Sequence, residues 1–102
     1  MTTTVKIEDD YPQALRSAWA DAAATHGTSI WRTVDARAKA AINLMWGPRS
    51  YYAARQPELD AEVAECQRVS KELLTVRLAA RQALEDAEAE YYKRLSESLN
   101  GR

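Results

Sequence analysis

An all-α fold follows from three features of the sequence: helix-forming residues dominate it, Gly and Pro are held to three of each, and its apolar residues recur at spacings of three and four. Phe is absent, Ala is abundant, and Glu and Arg lead the charged set. A chain of 102 residues is expected to form a single domain, residues 1–102, with one modest core. The expected architecture is a helical hairpin or three-helix bundle with one long C-terminal helix, coiled-coil-like and self-associating.

The opening stretch, MTTTVKIEDD, has no helical pattern and closes on acids, so residues 1–10 are read as a flexible or docked arm. A first helix is expected over residues 11–26. Asp10 is placed to cap it, Pro12 stands early enough that its missing N–H costs nothing, and Gly27 supplies a stop. Leu15, Ala18, Trp19, Ala22 and His26 fall on one face of it.

A second helix is expected over residues 29–46, capped by Thr28 or Ser29. Its stripe is broader, with Ile30, Trp31, Val34, Ala38, Ala41, Ile42 and Met45 at helical spacing and Trp46 beside the end. Gly47-Pro48 then breaks the helix, because Gly accepts a left-handed conformation and Pro disfavours helical geometry in the residue before it. Residues 47–56 are expected to form a corner or a short helix.

The long helix is expected over residues 57–99. Pro57 suits a first helical position, Glu58, Asp60 and Glu62 favour the positive end of the helix dipole, and Asn100-Gly101 makes an end. Leu59, Val63, Cys66, Ser70, Leu73, Arg77, Ala80, Leu84, Ala87 and Tyr91 advance by alternating steps of four and three, as in a heptad repeat. Val69 and Val76 thicken this seam, and Leu95 and Leu99 continue it. At about 1.5 Å per residue the rod is roughly 65 Å long. Such a seam must be covered, either by the two preceding helices laid end to end or by a second copy, and a homodimer or larger homo-oligomer is expected.

Charge is balanced overall, with a formal net of −1 and a pI near 5.8, but it is unevenly spread. Residues 28–56 hold Arg32, Arg37, Lys39, Arg49 and Arg55 against Asp35 alone, so +5 − 1 = +4, between acidic neighbours. No charged-then-apolar leader or long apolar run is present, and the single Cys66 has no partner for an internal disulfide. A cytoplasmic chain with no membrane contact is expected.

Reactive constellations are missing. His26 is the only histidine and is read as a helix-end residue favoured by the C-terminal dipole. Cys66 lies on the apolar seam, with Arg68 and Lys71 as its only basic neighbours in sequence, and is read as a small buried hydrophobe. Glu58, Glu62 and Glu65 share a helix face but lack the Glu-x-x-His pairing of di-iron bundles. No catalytic residues, metal ligands or cofactors are expected, and the chain is not read as an enzyme.

The stretch LMWGPRSYYAARQP concentrates the residue types that dominate protein interfaces. Trp46, Arg49, Tyr51, Tyr52 and Arg55 are therefore the candidate partner-binding residues. Adjacent helical residues point about 100° apart, so one member of each pair, Tyr51-Tyr52 and Tyr91-Tyr92, can bury while its neighbour stays at the rim. The function expected is a small protein–protein interaction module: an adaptor, an assembly factor or a stoichiometric inhibitor of the kind small phage and mobile-element proteins often are. The alternative is a nucleic-acid or nucleotide-phosphate binder using the basic middle segment. A helical-bundle enzyme with Arg residues in an inter-subunit pocket ranks last.

Overall fold

The computed structural model describes residues 10–46 and 50–100, and their side chains except at residues 50–52. Among them are two helices and no strand: α1, Gln13–Met45, and α2, Ser50–Asn100. At about 1.5 Å per residue the 33 residues of α1 run roughly 50 Å and the 51 of α2 roughly 76 Å. The two pack antiparallel, with Tyr11 against Tyr91 at one end, His26 against Arg77 in the middle and Asn43 against Gln56 at the other. The molecule is a rod of 79 × 18 × 15 Å.

Two helices stand where three were one alternative, because the expected break at Gly27 does not occur and α1 runs straight through it. The hydroxyls expected to cap a new helix bond backwards instead. Thr28 Oγ1 donates to the Ala24 carbonyl at 3.1 Å, Ser29 Oγ to that of His26 at 2.7 Å, and Thr25 and Thr33 repeat the pattern with Asp21 and Ser29 at 2.9 Å. Laid as one helix, residues 13–45 cover most of α2, which is how the long seam acquires a partner. Asp10 does not cap α1; Pro12 occupies that position, without a side-chain cap.

Pro57 does not begin α2. The helix starts at Ser50, so residues 50–56 of the expected corner are helical and Pro57 stands inside. Its ring removes one backbone donor from the second turn. The segment is held by Gln56, whose Oε1 accepts from Asn43 Nδ2 at 2.8 Å and whose Nε2 donates to Asp60 Oδ1 at 2.8 Å and to the Ala40 carbonyl at 3.4 Å. Residues 1–9 of the expected arm, the Gly47-Pro48 break and Gly101 lie outside the described residues.

The α2 seam packs as its spacing predicts. Leu59, Leu84 and Tyr91 are buried, and Val63, Cys66, Val69, Ser70, Leu73, Arg77, Ala80, Ala87 and Leu95 are half-buried; Val76 and Leu99 are exposed. In α1, Trp19, Ala22 and His26 of the expected first stripe face inward, while Leu15 and Ala18 are exposed. The second stripe lies on the opposite side: Trp31 is 71% exposed and Met45 78%, with Ile30, Val34, Ala38, Ala41 and Ile42 also exposed. What α1 turns toward α2 is Ser29, Thr33, Ala36, Ala40 and Asn43. The reason is phase. A break at Gly27 would have let a second helix rotate its apolar stripe inward, but an unbroken helix fixes that stripe by the 100° per residue counted from Trp19 and His26.

Candidate partner-binding surface

The corner and the outer face of α1 adjoin. Trp46 ends α1, its N–H shared between the carbonyls of Asn43 at 3.2 Å and Ile42 at 3.3 Å, and its indole is exposed. Trp46, Lys39, Ile42 and Asn43 from α1 meet Arg55 and Leu59 from α2 around a groove of about 230 Å³. Of the candidate residues, Trp46 and Arg55 are therefore brought together, with Lys39 beside them. Arg49 lies outside the described residues, and Tyr51 and Tyr52 are placed only as helical backbone.

Above the corner runs a line of side chains turned largely away from α2, of which Ala41 borders a groove shared with Asp60 and Val63. From Ala20 the steps are four and three in strict alternation, through Ala24, Gly27 and Trp31, then Val34, Ala38, Ala41 and Met45. None is charged, and each is exposed except Gly27, which is half-buried. At 100° per residue the centre of this line lies about 160° from the centre of the inward face, almost diametrically opposite. Among the described residues the exposed large apolar residues of α2 form no such line: Leu74, Leu78, Tyr92 and Leu99 share one side but Arg81, Glu85 and Glu88 interrupt them, and Val76 lies on another. Scattered apolar residues are ordinary on a protein surface, whereas a continuous stripe is the mark of a contact face.

The basic residues of the middle segment are split by the same geometry. Arg37 stands on an edge of the outer line, whereas Arg32 and Lys39, seven apart, lie more than about 100° from its centre and each line a groove shared with α2. On α2, Arg68 is engaged by Glu65 and by Glu72, the latter at 2.6 Å, and the hydrogen bond from Arg68 holds the Glu65 carboxyl below the usual glutamate range. Arg68 is thus committed to acids rather than to Cys66. That thiol is half-buried and lines a groove of about 350 Å³ between the helices, beside Ser29 and Leu73.

His26 is a mid-helix residue, not a helix-end one, and is 7% exposed. Arg77 Nη1 lies 3.1 Å from its Nδ1, and since a guanidinium only donates, Nδ1 is the acceptor and Nε2 carries the proton. At the far end Tyr11 donates its hydroxyl to Glu88 and accepts from Arg16 at 3.3 Å. The bond to Glu88 raises the Tyr11 pKa above the ordinary tyrosine value, with Arg16 opposing it. Tyr11 meets Tyr91 edge to face at 5.4 Å, and Tyr91 meets Tyr92 at 5.1 Å; Tyr91 is buried and Tyr92 exposed. One of that pair buries and the other stays at the rim.

Among the described residues no group of three or more His, Cys, Asp or Glu side chains is placed to hold a metal ion, and no helix is long and apolar enough to cross a membrane. The chain matches no protein-family model, no curated protein and no solved structure.

Proposed function

We propose that the chain is a protein–protein interaction module, an adaptor, assembly factor or stoichiometric inhibitor, that works through the outer face of α1 and the corner it leads into. The observation that carries this reading is the unbroken apolar line from Ala20 to Met45, which the hairpin leaves uncovered. Trp31 and Trp46 are the residues best suited to anchor a partner, since exposed Trp with an adjoining Arg is the composition of interface hot spots. Arg49, Tyr51 and Tyr52 belong to the same proposed surface by sequence position.

A photo-crosslinking phenylalanine analogue placed at Trp31 or Trp46, with irradiation in the native cell, is expected to yield a covalent protein adduct. Adducts from both positions support the reading, and its absence at both positions removes it. The nucleic-acid alternative draws on Lys39 and Arg55, which flank Trp46 in the corner groove. It requires binding to oligonucleotides that weakens steeply with salt.

A further inference from the structure

The outer line of α1 has the spacing of a coiled-coil seam, and we infer that its occupant is the same line on a second copy of this chain, paired antiparallel about a two-fold axis between Trp31 and Val34. This rests on the protein-interaction reading above and names its partner.

The spacing comes first. Alternating steps of four and three keep a seam facing its partner only when that partner is a helix with the same repeat. The outer line sustains the alternation without a miss over its eight positions, and α1 itself carries such a helix. Because the line is nearly opposite the face that meets α2, two hairpins can join through α1 with each α2 on the outside.

Pairing then follows from the order of residues. In the antiparallel arrangement that uses every position, Trp31 faces Val34 of the second copy, Gly27 faces Ala38, Ala24 faces Ala41, and Ala20 faces Met45. Small residues fill most of the line, which lets the two backbones approach closely. Gly27 acquires a purpose there. In the hairpin alone a Cβ at Gly27 would meet nothing within 4 Å, so a glycine in mid-helix weakens α1 and gains no contact.

Charge selects the register. At full overlap the edge residues Asp21, Asp35 and Arg37 lie beside Ile42, Thr28 and Ile30 of the other copy, and no like charges meet. Sliding by one heptad in one direction opposes Asp21 to Asp35 and leaves Ala41 and Met45 uncovered. In the other direction it opposes Asp35 to Asp35 and Arg37 to Arg37, and leaves Ala20 and Ala24 uncovered.

The rod as a whole carries surplus surface. The chain exposes 7657 Å², whereas a compact monomer of 11.5 kDa exposes about 5,800 Å². The difference, roughly 1,900 Å² spread over both helices, leaves room for the about 800 Å² that each partner gives up in a standard interface.

The test combines mass with cross-linking. Light scattering across a concentration series is expected to give twice the monomer mass, and Trp31→Glu is expected to weaken the dimer by at least about 100-fold while helical circular dichroism is unchanged. On a Cys66→Ser background, a mixture of Ala24→Cys and Ala41→Cys chains is expected to oxidise to the mixed disulfide dimer, with little product from either variant alone. Efficient self-linking of Ala24→Cys overturns the antiparallel pairing. A wild-type chain that stays monomeric overturns the second copy: if the Trp31 photo-adduct with another protein persists, the interaction reading stands without it, and if no adduct forms, both fall. A Trp31→Glu dimer of wild-type affinity overturns the proposed seam.

Discussion

The seam that α2 turns inward holds Leu59, Leu73, Leu84 and Tyr91, whereas the seam that meets it on α1 holds His26, Ser29, Ala36, Ala40 and Asn43. Large side chains on one helix are received by small and polar ones on the other. The large apolar side chains of this interface come mainly from α2, while α1 contributes close approach at Ala36 and Ala40 and three cross-helix polar links, His26 to Arg77, Asn43 to Gln56 and the Ala40 carbonyl to Gln56. Apart from Trp19, the larger apolar residues of α1 are on its other side. A helix can thus be amphipathic in the usual sense and still bury its less apolar face, if its phase is set elsewhere in the chain.

The sharpest way to break this comparison is to truncate one large residue on each helix. Leu84→Ala is expected to cost about 3 kcal/mol in urea unfolding, as a buried leucine does. Trp31→Ala, measured on chains dilute enough to be single, is expected to cost less than about 0.5 kcal/mol despite removing a larger group. Equal costs would mean that the two faces of α1 are exchanged.

A smaller effect tests whether the polar residues on the inner face of α1 hold the helices together. His26→Leu strands Arg77 against an apolar neighbour and is expected to cost about 1–2 kcal/mol. Adding Arg77→Leu is expected to recover most of it, and a double-mutant cycle reads the coupling. Additive losses would show that the two side chains do not act as a pair.

Next comes Gly27→Ala. With open space around the added Cβ and the helix continuous on both sides, the substitution is expected to stabilise the dilute single chain by about 1 kcal/mol, read as a rise in the thermal midpoint. Destabilisation would show that α1 needs a bend there.

The smallest effect lies at the far end. Because the Glu88 bond raises the Tyr11 pKa, folding favours the protonated phenol. Its contribution is present below the unfolded value of about 10 and is lost as pH rises through the higher folded value. An ultraviolet phenolate titration is expected to show one late tyrosine that moves back toward the others in Glu88→Gln.

What could be read from the sequence follows the same division. Residues 58–100 contain no Gly or Pro, so nothing interrupts the phase and the apolar period alone locates the buried side of α2. Gly27-Thr28-Ser29 carries the composition of a stop followed by a cap. Only tertiary packing decides that Gly27 stays helical and that the hydroxyls return to the carbonyls of the preceding turn. Pro57 is a similar case, since local chemistry places it at a helix start while Gln56 ties the turn before it to α1. At the candidate surface, Trp46 and Arg55 were legible as residue types. Trp31 is visible as part of a stripe, but periodicity shows that a face is apolar and not what covers it.

The 79 Å length of the hairpin has a thermodynamic meaning. With a cross-section only two helices wide, each turn touches its opposite number and nothing else, so cooperativity is passed along one dimension, as in a repeat array. The Tyr11–Glu88 end and the Asn43–Gln56 end share no neighbours. Substitutions at the two ends should add, and amide protection should fall gradually from the middle outward rather than collapse in one step.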